Sequence, residues 1–247
     1  MPAFGLLLAA AGVAAFVVGF LRTSLGAGIG LVLTPTLSLV LPAPVVLALI
    51  TPMMNLSDPL ALGYYWRRWD TRQLWVLMPA ALAGVALGTW ALSRLSEFWL
   101  VKVIGALALV FGLLQLWLTL RRTALSGAPP PRAAGAAAGV VSGVASAVSH
   151  SGGVMMSLYL VSTGLPTAAI LGTNSAVVTF ANALKFLGYW QLGFLTPEIL
   201  LAALLSLPWL VLGAWLGYRV NRVLPRRGFE LAIVAIALAG GARLLLR

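Results

Sequence analysis

The chain has 247 residues, 61% of them apolar and only 9% charged, with a mean hydropathy of +1.02. Soluble domains carry about 45–50% apolar and about 25% charged residues, so these side chains cannot cover a folded surface that faces water, and a water-soluble enzyme is excluded. In a membrane protein, the excess of 16 Lys and Arg over 5 Asp and Glu marks cytoplasmic loops, not a nucleic-acid partner.

Apolar segments are predicted at 4–21, 25–41, 44–65, 73–93, 98–119, 133–149, 153–164, 166–189, 198–218 and 228–246. Most approach the ~20 residues that a helix needs to cross a bilayer. Two do not. Gly26, Gly28 and Gly30 open the second segment and Pro35 interrupts it, while 153–164 is too short to cross, so both read as broken or re-entrant helices. No basic stretch precedes the first segment, and no small-residue cleavage site leads into a polar chain, so it reads as a retained span.

The polar run from Arg121 to Arg132, with Pro129, Pro130 and Pro131, divides the chain into halves at 1–120 and 133–247. Each half has the same order: an apolar segment, a Gly-rich break, a short segment, a proline and three long spans. Gly30 matches Gly153, Pro44 matches Pro166 and Thr51 matches Thr173 at nearly constant offset, which indicates a duplication. With an odd number of crossings per half, ten basic residues (Arg67, Arg68, Arg72, Arg121, Arg122, Arg132, Arg219, Arg222, Arg226 and Arg227) fall on one side. Arg94, Lys102, Arg243 and Arg247 fall on the other. An even number divides them eight against six and orients nothing. Odd parity makes the halves inverted repeats, with both chain ends outside and the Pro-rich linker in the cytoplasm.

Gly26-Ala27-Gly28-Ile29-Gly30 followed by Pro35, its partner Ser149-His150-Ser151-Gly152-Gly153, and Leu171-Gly172-Thr173-Asn174-Ser175 ahead of Asn182 together resemble the sulfite exporter TauE/SafE family. The two-half plan and the length extend the resemblance over nearly the whole chain. It implies a carrier of sulfite, of sulfonates such as sulfoacetate, or of related sulfur-containing anions across the bacterial inner membrane. The first glycine run is interrupted by Ala27 and Ile29, and the second keeps only Gly152 and Gly153.

An anion stripped of water must be met by hydrogen-bond donors, and a helix that begins inside the bilayer offers free N–H groups with partial positive charge. Glycine lets a ligand approach the backbone closely. The runs holding Gly26, Gly28 and Gly30 and holding Ser149, Ser151, Gly152 and Gly153 stand where such half-helices begin, and inverted repeats aim them at a common point. The competing reading is close helix packing through small residues.

Further candidates lie on two spans and beside the breaks. Asn174, Asn182 and Lys185 share a helical face, with Thr173 and Ser175 nearby, and Thr51, Asn55 and Asp58 share one in the matching span. Arg22, with Ser24, either completes an anion site or sits at the interface. His150 either titrates in the site or is bonded to backbone. Lys185 is either a counter-charge or a snorkelling anchor. Glu97, Glu198 and Glu230 are placed in first turns and Asp70 in a basic loop, leaving Asp58 as the functional acid. It either carries a coupled proton or pairs with Arg22 or Lys185.

Tyr64, Tyr65, Trp66, Trp69, Trp75, Trp99, Tyr189, Trp190 and Tyr218 read as an interfacial belt. The pairs Gly84/Gly88 and Gly213/Gly217 read as helix contacts. The expectation is an all-α polytopic membrane protein of two inverted-topology repeats, each a broken or re-entrant Gly-rich helix pair followed by three long transmembrane helices. It moves a small anion by alternating access, with no cofactor, no metal and no nucleic-acid partner. A passive anion channel on the same scaffold is the alternative. Absent cysteine, one histidine and few acids argue against an intramembrane enzyme, and the lack of a long soluble loop argues against an assembly scaffold.

Overall fold

The computed structural model describes residues 4–24, 28–121, 130–220 and 226–247, and every regular element among them is a helix. Before the linker come α1 (Phe4–Ser24), α2 (Ile29–Leu37), α3 (Ala43–Tyr64), α4 (Thr71–Leu92) and α5 (Glu97–Arg121). After it come α6 (Arg132–Ser149), α7 (Gly152–Ser162), α8 (Thr167–Gln191), α9 (Pro197–Leu205), α10 (Leu207–Val220) and α11 (Arg226–Leu246). Helices α1, α3, α4, α5, α8 and α11 are long and apolar enough to cross a membrane. The two segments read as too short are short helices, with 9 residues in α2 and 11 in α7. At 1.5 Å per residue they reach about half of the ~30 Å hydrocarbon layer.

One long span differs from expectation. Residues 198–218 form two helices, α9 and α10, bent by 45° at Ser206. Pro208 supplies the reason, because it lacks an N–H and its ring crowds the carbonyl one turn earlier. The Ser206 hydroxyl donates to the Ala202 carbonyl at 2.7 Å and so satisfies part of the broken end. The second half therefore has two straight long helices and one bent one where three long ones were expected.

Small residues set the closest helix contacts. A Cβ on Gly84 in α4 would lie 2.2 Å from the Val140 carbonyl oxygen in α6, and one on Gly213 in α10 would lie 2.1 Å from that of Phe16 in α1. Gly88 and Gly217 meet the same partner helices one turn on, so both pairs are helix contacts as expected. Helices α5 and α11 pack together, as do α3 and α8. Leu47, Leu49 and Ile50 of α3 have no exposure, whereas Trp75, Val110 and Val211 are exposed on outer helices, as a lipid-facing surface requires.

Three local placements correct the sequence reading or add to it. Tyr189 is not part of the aromatic belt: it is fully buried and its hydroxyl donates to the Ala147 carbonyl, since a buried phenol needs an acceptor. Glu97 and Glu198 do occupy first turns. Glu230 lies in the second turn of α11, because the helix-favouring arginines extend that helix back to Arg226. Asp70 ends its basic loop as the N-cap of α4, accepting from the Gln73 N–H at 2.8 Å.

Candidate functional site

Helix α6 ends at His150, whose φ of 58° is the left-handed cap conformation and whose N–H donates to the Ser146 carbonyl at 3.0 Å. Helix α7 then starts hard against α6. A Cβ on Gly152 would lie 2.0 Å from the Ser142 carbonyl oxygen, so only glycine fits there. In the first half, α2 starts after Gly28, whose φ of 86° favours glycine. A Cβ on Gly30 would lie 2.2 Å from the His150 carbonyl oxygen, so the first turn of α2 touches the break between α6 and α7.

Neither helix start has a side-chain cap. Gly28 has no side chain, and the Ser151 hydroxyl is hydrogen-bonded to that of Ser149. With no side-chain cap at either start, the positive ends of two helix dipoles stand side by side. Between them is a cavity of about 120 Å³, walled by Gly28 and Ile29 of the first break, Gly152 and Gly153 of the second, and Arg22. That is several times the ~10–15 Å³ that a single water needs, which is room for a small oxyanion.

Of the predicted residues, Arg22, Gly28, His150, Gly152, Gly153, Asn174, Ser175 and Asn182 line this cavity. Ser24, Gly30, Thr51, Asn55, Asp58, Ser149, Ser151, Thr173 and Lys185 do not, and Gly26 lies outside the described residues. Several of those outside the lining hold the lining in place. The Thr51 hydroxyl, which donates to the Leu47 carbonyl at 2.8 Å, lies 3.1 Å from Nε2 of His150. The Asn55 amide donates to the carbonyls of Thr51 at 3.0 Å and Asn182 at 3.3 Å, bracing α3 on α8. Thr173 accepts from the Asp70 N–H at 2.9 Å and ties α8 to the start of α4. Nδ1 of His150 and Oδ1 of Asn174 are buried without a protein partner.

Charged side chains converge behind this wall. Arg22 is not a free interfacial arginine, because its guanidinium forms an ion pair with Asp58. The carboxylate is 1% exposed and also accepts from the Asn182 amide at 2.7 Å. Lys185 does not snorkel. The face of α8 that carries it is turned to α6, its exposure is nil, and among the described residues its amine reaches only the carbonyl and hydroxyl oxygens of Ser146, each at 3.5 Å. Sequence reasoning missed Ser142 and Ser146, which line the cavity from α6. Their signal was available, since Ser142, Ser146 and the cap residue His150 recur every fourth residue along a helix that, apart from Arg132 and Ser149, is otherwise small and apolar.

Among the described residues, no three His, Asp or Glu side chains gather as a metal site. The chemistry on offer is non-covalent: backbone N–H groups and a guanidinium around a space sized for a small anion. The family model for the sulfite exporter TauE/SafE matches residues 11–244, from within α1 to the last turn of α11. The chain belongs to the TauE/SafE family. As a TauE/SafE protein it is a multi-pass membrane transporter of sulfite or related anions. Neither a curated protein nor a solved structure matches this TauE/SafE chain.

Proposed function

We propose that the protein is a secondary carrier of small sulfur-containing anions (sulfite, sulfoacetate or other organosulfonates) in the bacterial inner membrane, working by alternating access. One arrangement supports the anion site above all: two uncapped helix starts and Arg22 around a single cavity. Amides already oriented toward the guest replace its water shell with little reorganisation.

The moving parts are two inverted-topology repeats, residues 1–120 and 133–247, joined by a cytoplasmic linker. The pairing of α4 with α6 and of α1 with α10 supports this reading, because exchanging the halves converts one contact into the other. The helix caps support it too. Pro42 caps α3 and Pro166 caps α8, so the structural match to Pro166 is Pro42 and not Pro44. Counted from these caps, Asp58 and Asn182 hold the same place in their helices, and they bond to each other.

Arg22 is shared between Asp58 and the cavity. An anion seated at Arg22 competes with the carboxylate, and a buried carboxylate stripped of its partner does not stay bare. It recruits a proton or another cation, so Asp58 is where proton coupling enters the cycle.

The test is thermal stabilisation of the purified protein by sulfite, thiosulfate, sulfoacetate, taurine, sulfate and acetate, with an organic cation as control. A true ligand at about 100 times its Kd adds about 2.7 kcal/mol, and one or more of the sulfur anions should do so. No shift with any anion, together with a shift by the cation, would end the reading.

A further inference from the structure

We propose that Lys185 carries the coupled proton, taking it up when an anion draws Arg22 away from Asp58 and becoming, as an ammonium, the new partner of that carboxylate. This rests on the anion-carrier reading above and assigns its coupling step. Lys185 lies on α8 three residues after Asn182, whose amide already holds the Asp58 carboxylate, and it interacts electrostatically with Asp58 across a gap longer than an ion pair.

The surroundings of the amine are those of a group that changes charge. It is fully buried, both of its contacts to Ser146 are at 3.5 Å, and no described carboxylate lies within ion-pair distance. Buried ions persist when paired and otherwise neutralise. Lysine can give up its proton in such a place and arginine cannot. Ser146 itself lines the cavity, so the amine stands one side chain from the guest.

Few other groups face it. From α3 comes Asp58, with Arg22 of α1 behind it, and α6 ends in His150. On α8 itself the Tyr189 hydroxyl is committed to the Ala147 carbonyl. Of the remaining neighbours of α8, α4 has Arg72 exposed at its start, and Tyr159 of α7 donates to Gln73 at 3.0 Å. The proton enters from the water on the side where the anion enters. A single N–H bond forms at Nζ and breaks again when the anion leaves on the far side and Asp58 returns to Arg22.

The experiment uses the full-length protein in liposomes, with sulfoacetate as probe and the membrane potential clamped at zero. One proton per anion makes a gradient of about one pH unit accumulate sulfoacetate about tenfold. Lys185→Arg, whose charge cannot be given up, and Lys185→Met, which fills similar space without charge, should both bring that ratio to about one. Size-exclusion profiles establish that each variant is folded, and either folded variant suffices. Tenfold accumulation retained by a folded Lys185 variant would overturn the inference, as would loss of coupling in His150→Gln alone. A wild type stabilised by sulfoacetate but indifferent to the pH gradient would overturn it and leave the anion site standing. A wild type not stabilised by any of the sulfur anions would overturn both.

Discussion

Arg22 has two claims on its guanidinium, one from Asp58 and one from the cavity, and the site depends on that division. Removing the cation strands a carboxylate that is 1% exposed. Breaking a buried pair from one side typically destabilises by about 3–5 kcal/mol, whereas removing both charges can be nearly neutral. Arg22→Gln should therefore lower stability by about 3 kcal/mol and abolish stabilisation by sulfur anions. The double variant Arg22→Gln with Asp58→Asn should recover most of the stability without recovering ligand response. Denaturant unfolding in detergent micelles measures both effects, and equal destabilisation of the single and double variants would contradict the pairing. At this scale the sequence was partly legible. An intramembrane acid with two basic residues to choose from named the Arg22–Asp58 pair as one possibility, but the choice depends on which helix faces meet, and spacing along one helix does not carry that. The burial of Lys185 was hidden for the same reason, because a lysine near a span end is compatible with snorkelling until its side chain is seen to turn to α6.

The helical elements meet at glycines, but the glycines do different jobs. Gly30 is a contact residue: a Cβ there would lie 2.2 Å from backbone, so Gly30→Ala must move α2 away from the α6–α7 break. The expected loss is about 1–3 kcal/mol of stability. Gly153 has nothing within 4 Å of an added Cβ and lines the cavity, so Gly153→Ala should fold normally and weaken anion binding by taking up guest volume. Parallel melting and ligand-shift curves separate the two. A stable Gly30→Ala, or a Gly153→Ala with full ligand response, would reverse these roles. Most elements were readable from apolarity and breakers, including the shortness of α2 and α7. The bend at Ser206 was not read because residues 198–218 are apolar throughout, and hydropathy alone does not register the missing N–H of Pro208. Pro42 and Pro44 are both present, and only the cap geometry shows that Pro42 is the one that begins α3.

At the scale of the whole molecule the proposed topology, which places ten basic residues on one side and four on the other, is easy to test because cysteine is absent. In intact cells an impermeant maleimide should label Ser96→Cys, between α4 and α5, and should miss Arg68→Cys, between α3 and α4, until the cells are broken. The opposite pattern would invert the topology. The all-helical plan with several long apolar spans was visible in the order of segments. That the two breaks touch was not, because it depends on α1, α3, α6 and α8 closing around them. Transport as proposed needs those two helix starts to hold an anion together with Arg22. The most direct measurement is an anomalous-scattering map of the protein with 2-bromoethanesulfonate. A bromine peak is expected inside the cavity bounded by Arg22, Ile29, Gly152 and Gly153. A peak confined to any other place, with this cavity empty at saturating ligand, would contradict that proposal.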